Sequence, residues 1–235
     1  MTDTVTTPTF PAYLYPWQTD TRNRAGLRVV EPATAEPVSL DEAAAHLRID
    51  AYGSPPEYPD QTMIEAMIVA AREYVEHESG LALAPQTMEL GARSCAGLCQ
   101  WSGDNGILLR VAPVLGIASV IYTASDGTAT TMDPADYTLD DFAQVPAIYP
   151  AYGSAGWPSA RDEPNAVRIR FYAGYSAVAG SPTVAVIPQS LRFAILLMLG
   201  HLSENREQTA AVNMAEIPLG ITSLIQRYRI RNGFA

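Results

Sequence analysis

Between Leu191 and Leu202 almost every position is apolar (Phe193, Ile195, Leu196, Leu197, Met198 and Leu199 among them), interrupted only by Arg192, Gly200 and His201. The run predicts a helix over 188–207 that needs cover on most sides. Pro188 suits its first turn, where the missing N–H removes a donor that has no intrahelical partner. The run falls short of the roughly 20 apolar residues of a membrane span and is flanked by charge. Its cover therefore comes from the rest of the chain or from neighbouring subunits.

Two further helices are predicted near the start. Ser39-Leu-Asp-Glu42 reads as a capping box, in which the serine hydroxyl takes an orphan N–H and Glu42 reaches back. The helix it opens runs to about Arg48 with Leu40, Ala43, Ala44 and Leu47 on one stripe. A proline-dense loop over 52–59 follows, and Asp60 is expected to cap a longer helix that stops at Gly80. Ile64, Met67, Ile68, Ala71, Tyr74 and Val75 recur there at three- and four-residue steps, with Glu65, Arg72, Glu73 and Glu76 between them. The pair predicts an antiparallel helical hairpin.

From Gln86 the period becomes two. Strands are expected over 86–92, 107–113, 117–123, 129–132, 137–139 and 166–172, with an Asp126-Gly127 turn matching the twist of the hairpin it closes. Residues 140–165 read as a long loop holding one short apolar piece, 147–149. A last short helix is expected over 218–228. The order predicts an α+β fold: a bundle of about four helices with an inserted antiparallel β region. Its parts are an extended arm (1–37), the helical hairpin (38–84), the β region (85–175), C-terminal helices completing the bundle (186–228) and a tail (229–235). In the arm, Phe10, Tyr13, Tyr15 and Trp17 fall within eight residues, so part of it is expected to dock on its own domain or on a neighbouring subunit.

Charge narrows the function. Twenty-five acidic against fifteen basic side chains give a formal net charge of -10 over 235 residues, which argues against a general nucleic-acid binder or an anionic membrane surface. The first residues lack the basic and apolar regions of a secretory signal, so the chain is expected in the cytoplasm.

Candidate chemistry is sparse. Phosphate loops, nucleophile elbows and dinucleotide fingerprints are missing from the sequence, so no catalytic, cofactor or metal residue is assigned and the chain is not expected to be an enzyme. His46, His77 and His201 are the only histidines, each on a predicted helix, and are expected to be structural or superficial. Cys95 and Cys99, two thiols without further ligands, fall short of a zinc site. Asp133, Asp136, Asp140 and Asp141 fall at turns, where Asp bonds its own backbone. Tyr149, Tyr152 and Trp157 read as loop packing or an intersubunit contact, with a stacking shelf as the other reading. The ending Arg227-Tyr-Arg-Ile-Arg231 alternates base with apolar side chain, which suits a strand added to a partner's sheet or a nucleic-acid contact. The acidic balance favours the protein partner.

Several landmarks in order carry a resemblance. They are Pro37-Val-Ser-Leu-Asp-Glu-Ala-Ala-Ala-His46, Ile64-Glu-Ala-Met-Ile-Val-Ala-Ala-Arg72, Ser79-Gly80, Gln86-Thr-Met-Glu-Leu90, Asn165-Ala-Val-Arg-Ile-Arg-Phe171, Ile187-Pro-Gln-Ser-Leu191 and His201-Leu-Ser-Glu-Asn-Arg206. Over about 37–230 the set resembles the head–tail connector (adaptor) family of tailed phages, related to neck adaptors of siphophages and gene transfer agents. The resemblance implies a structural virion protein of the neck, made in the host cytoplasm. Its subunits would form a ring, commonly of twelve, beneath the portal protein and above a stopper or tail-completion protein, and DNA would pass through the channel without specific binding. The residues of the basic, partly apolar tail, Arg227, Tyr228, Arg229, Ile230, Arg231 and Phe234, suit a portal contact, and Phe10, Tyr13, Tyr15 and Trp17 suit an intersubunit contact, although the arm and the 52–59 and 95–106 loops depart from the family. The alternative is a nucleic-acid-binding phage regulator using Arg227, Arg229 and Arg231.

Overall fold

The computed structural model describes residues 25–33, 35–54, 56–99, 105–175, 177–178, 181–205 and 219–230. In chain order these form β1 (Gly26–Glu31), α1 (Leu40–His46), α2 (Gln61–Ser79), β2 (Gln86–Ala92), α3 (Cys95–Cys99), β3 (Ile107–Leu108) and β4 (Val114–Thr123). Next come β5 (Ala129–Thr131), β6 (Tyr137–Asp140), β7 (Ala147–Pro150), β8 (Val167–Ala173), β9 (Ala177–Val178), β10 (Ser181–Ala185), α4 (Gln189–Glu204) and α5 (Leu219–Gln226). The fold is α+β, as its alternation of periods predicts.

Alternation at period two puts Val167, Ile169 and Phe171 of β8 on one face and Arg168, Arg170 and Tyr172 on the other. β8 lies at the centre of an antiparallel sheet of order β1-β2-β8-β4-β5. Register pairs Leu90 with Ile169 and Met88 with Phe171, so the apolar sides of both strands coincide. This inner face packs on a second sheet, β3-β7-β6, and Leu27, Leu90, Ile169, Phe171, Ile107 and Ile148 form one buried cluster between the two sheets. Full burial of each such side chain contributes about 1.5–3 kcal/mol before entropy is counted.

The helices build a second core. Ile64, Ile68, Ala71 and Val75 of α2 meet Leu191, Ala194, Ile195 and Leu199 of α4 and Ile221 and Ile225 of α5, with Ala43 of α1 joining them. α4 therefore finds most of its cover inside its own chain. Phe193 remains 49% exposed on its uncovered side. The Ser39 hydroxyl accepts the Glu42 N–H at 3.2 Å, as a cap should. Glu42 does not complete the capping box, because its carboxylate takes Arg192 of α4 instead. Asp60 occupies the N-cap of α2 in left-handed backbone (φ 54) without a side-chain cap bond. Gly80 stops that helix at φ 74, a conformation that glycine adopts without strain.

Three differences from the sequence reading have local causes. The arm ends sooner than expected, because Gly26–Glu31 pairs with β2 as an edge strand. The strand expected over 107–113 is confined to Ile107–Leu108, since Arg110 takes left-handed backbone (φ 64) and breaks the pleat. The loop over 140–165 contains a true strand, β7, which lies between β3 and β6.

The helical and sheet layers meet along three backbone passes. Ala82 N–H donates to Ala112 O at 2.9 Å, and Gly174 N–H donates to Pro113 O at 2.9 Å. At Gly174 (φ 114) a Cβ would sit 2.2 Å from Ala84 O, so only glycine fits the crossing.

Candidate functional site

The three histidines do not converge. His46 and His77 lie exposed on α1 and α2, while His201 Nδ1 lies 3.3 Å from Asn205 Nδ2 at the end of α4. Among the described residues no group of His, Cys, Asp and Glu could hold a metal ion. Cys95 and Cys99 are free, buried thiols on α3. Burial, with Cys99 adding to it, pushes the Cys95 thiol up to about 12, so it holds its proton and is a poor nucleophile. Asp133 accepts the Ala135 N–H at 2.9 Å and Asp140 the Phe142 N–H at 3.1 Å, both turn roles. Tyr149 packs against Gly106, and Trp157 Nε1–H donates to Asn105 O at 2.7 Å. Those two side chains are spent on loop packing, whereas Tyr152 is fully exposed.

Among the described residues, two clusters each join three charged side chains. On α2, Arg72 and Glu76 occupy the buried stripe with Ile68 and Val75 rather than the polar side expected for them. Glu76 Oε2 accepts Arg72 Nη1–H at 2.6 Å, and its Oε1 accepts the Leu83 N–H at 2.7 Å as the chain turns into β2. Arg72 Nε–H donates to Glu36 at 2.8 Å. Complete burial pushes the Glu76 carboxyl above its ordinary range, against the pull of Arg72 and the Leu83 and Ala84 N–H groups. Burial alone would lower Arg72, but the facing carboxylates Glu76 and Glu36 more than offset it and hold it protonated. The cluster joins helix to sheet. The four-residue spacing of Arg72 and Glu76 beside Ile68 and Val75 was the available signal for it.

The second cluster lies on the outer face of the five-stranded sheet. Glu89 of β2 is flanked in register by Arg28 of β1 and Arg170 of β8. It accepts Arg28 Nε–H at 3.1 Å and Arg170 Nη2–H at 3.0 Å. Burial raises the Glu89 carboxyl, and these two arginines reverse the effect and hold it below the ordinary range. Two shallow clefts flank this row. One, of about 540 Å³, is lined by residues including Arg28, Glu89, Asn165 and Arg168. The other, of about 400 Å³, is mostly apolar, with Pro32, Pro85, Leu115 and Tyr172 beside Glu31 and Thr87.

The predicted portal contact divides. Arg227 and Arg229 are exposed, Tyr228 is half-buried, and Ile230 is buried. Ile230 N–H donates to Ser79 O at 2.8 Å, and its side chain packs over Gly80. Ile230 is therefore part of the helical core and not of a free tail. Arg231 and Phe234 lie outside the described residues, as do Phe10, Tyr13, Tyr15 and Trp17. No helix among the described residues is long and apolar enough to cross a membrane.

The fold is similar to chains in three solved structures. One is the neck of an empty GTA particle computed with C6 symmetry (TM-score 0.64, 23% identity, covering 86% of this chain and 94% of that one). Another is the virion of a native gene transfer agent particle (TM-score 0.65, 22% identity, 86% and 94%). A third is the neck of a native GTA particle computed with C12 symmetry (TM-score 0.62, 23% identity, 86% and 94%). No family model and no curated protein matches the chain.

Proposed function

We propose that this chain is a structural virion protein of a tailed-phage-like neck, an adaptor whose copies form a ring between the portal and a stopper or tail component. The observation that carries the reading is the likeness of fold over 86% of the chain to chains from particles whose necks were computed with sixfold and twelvefold symmetry. The molecule suits the role physically. An acidic chain lining a channel does not hold DNA phosphates, because cations are what neutralise and bind them. Arg227 and Arg229, exposed beyond α5 and rooted by Ile230, serve the portal contact, with Arg231 and Phe234 as its further residues in the sequence. The aromatic arm residues Phe10, Tyr13, Tyr15 and Trp17 serve contacts between subunits.

The test mixes the full chain with purified portal rings and images the product, with native mass spectrometry of the chain alone alongside. A ring of this chain seated on one face of the portal is the expected result. A chain that ignores the portal, or that instead binds duplex DNA with steep salt dependence through Arg227, Arg229 and Arg231, overturns it.

A further inference from the structure

The two ends of a subunit-to-subunit contact can be read on the two sheets of the sandwich. On the three-stranded side, the loop between β6 and β7 carries Asp140, Asp141 and Phe142. The Phe142 side chain is 99% exposed, unusual for so large an apolar group. The turn that presents it is held by the Asp140 carboxylate on the Phe142 N–H. Val145 of the same loop packs into the helical core, so the tip lies level with the junction of the two layers. On the outer face of the five-stranded sheet, the apolar cleft of Pro32, Pro85, Leu115 and Tyr172 also lies at that junction, since Pro85 belongs to the segment leading from α2 into β2. Leu115 is 52% and Tyr172 49% exposed there.

We propose that Phe142 of one copy seats in the Leu115–Tyr172 cleft of the next, with Asp141 facing Arg170. This rests on the ring reading above and names the contact it requires. A head-to-tail ring needs two different, complementary patches on each subunit, and the tip belongs to the three-stranded sheet while the cleft lies on the outer face of the five-stranded one. Their charges also match. The tip carries two aspartates, whereas the outer face carries Arg28, Arg168 and Arg170 against Glu31 and Glu89. Among the described residues Arg168 makes no ion pair, which leaves the face short of negative charge. Burying an aromatic anchor in an apolar cleft ringed by charge is the usual anatomy of a strong contact.

The experiment places Phe142→Cys and Leu115→Cys in the same full chain and cross-links it with a short bis-maleimide, while native mass spectrometry and portal-bound imaging report whether rings form. The double variant is expected to give a ladder of covalent oligomers, and each single variant none. Phe142→Asp should weaken self-association on the order of tenfold or more, as loss of a central aromatic does. Its melting temperature should stay unchanged, because the side chain is already in solvent. Rings without a ladder would overturn the contact and leave the ring reading standing, whereas neither rings nor ladder would remove both. A Phe142→Cys dimer formed alone would mean a symmetric contact, and cross-linking of Leu115→Cys to Trp17→Cys would give the cleft to the arm. Either result overturns the proposal.

Discussion

Glu76 and Glu89 both face arginine, and they behave oppositely. Glu76 is enclosed on all sides and shares one carboxylate between Arg72 and the N–H groups entering β2. Glu89 lies on a sheet face between two arginines whose side chains are 49% and 43% exposed. Complete burial outweighs the pull of Arg72 and the two N–H groups on Glu76, whereas two arginines outweigh the burial of Glu89, so the carboxyl rises in one and falls in the other. Similar residue types thus give a joint between layers in one place and a surface feature in the other.

The sharpest way to break the contrast is Glu76→Ala. It strands the buried Arg72 with Glu36 alone and leaves the Leu83 N–H without its acceptor, so a loss of about 3–5 kcal/mol in urea unfolding is expected. Glu89→Ala leaves two arginines that water can solvate, and after discounting for that screening its cost is about 1 kcal/mol. Salt should separate the pair further. At 1 M salt the Glu89→Ala difference should shrink, and the Glu76→Ala difference should persist.

The response to pH carries opposite signs. A carboxyl raised in the folded state takes up protons on folding, so the Glu76 contribution is present below the ordinary value of 4.5 and is lost as pH rises through the higher folded value. The Glu89 contribution is present above 4.5 and disappears as pH falls through its depressed folded value. Unfolding free energies from pH 3 to 8 should therefore show Glu89→Gln flattening the acid limb, while Glu76→Gln gains relative to the unaltered chain as pH rises above 4.5.

The smallest change in stability belongs to a charge outside both clusters. Arg227→Ala, at an exposed position, should shift unfolding by less than about 0.5 kcal/mol. The same variant should lower capture by immobilised portal rings. Retained capture would move the portal contact elsewhere on the chain.

How much of this could be read from the chain alone depended on whether a residue's partner was near in sequence. The Ser39 cap, the Gly80 stop and the alternation of β8 are local and were legible, whereas the expected two-residue Asp126-Gly127 turn is a longer connection in which only Gly127 takes positive φ. β1 was not. Its inward Leu27 and outward Arg28 acquire meaning only against β2, some sixty residues on, and prolines nearby masked the short alternation. Arg72 and Glu76 were read on the polar side of α2 because their further partners, Glu36 for Arg72 and the Leu83 N–H for Glu76, come from other segments. Ile230 belongs to the core for a similar reason, since its cover is Ser79 and Gly80 at the far end of α2. The exposure of Phe142 depends on which loops the sheets push outward.

The seam at Ala82–Ala112, Pro113–Gly174 and Ala84 has a mechanical consequence. Three backbone passes stitched side by side leave no axis about which the helices could swing against the sheets. In the ring proposed above, each subunit is a stiff voussoir, the wedge of an arch. A closed circle of such wedges changes its bore only by sliding or tilting at the joints between copies, and load placed on one rim arrives at the other undiminished by bending within the block.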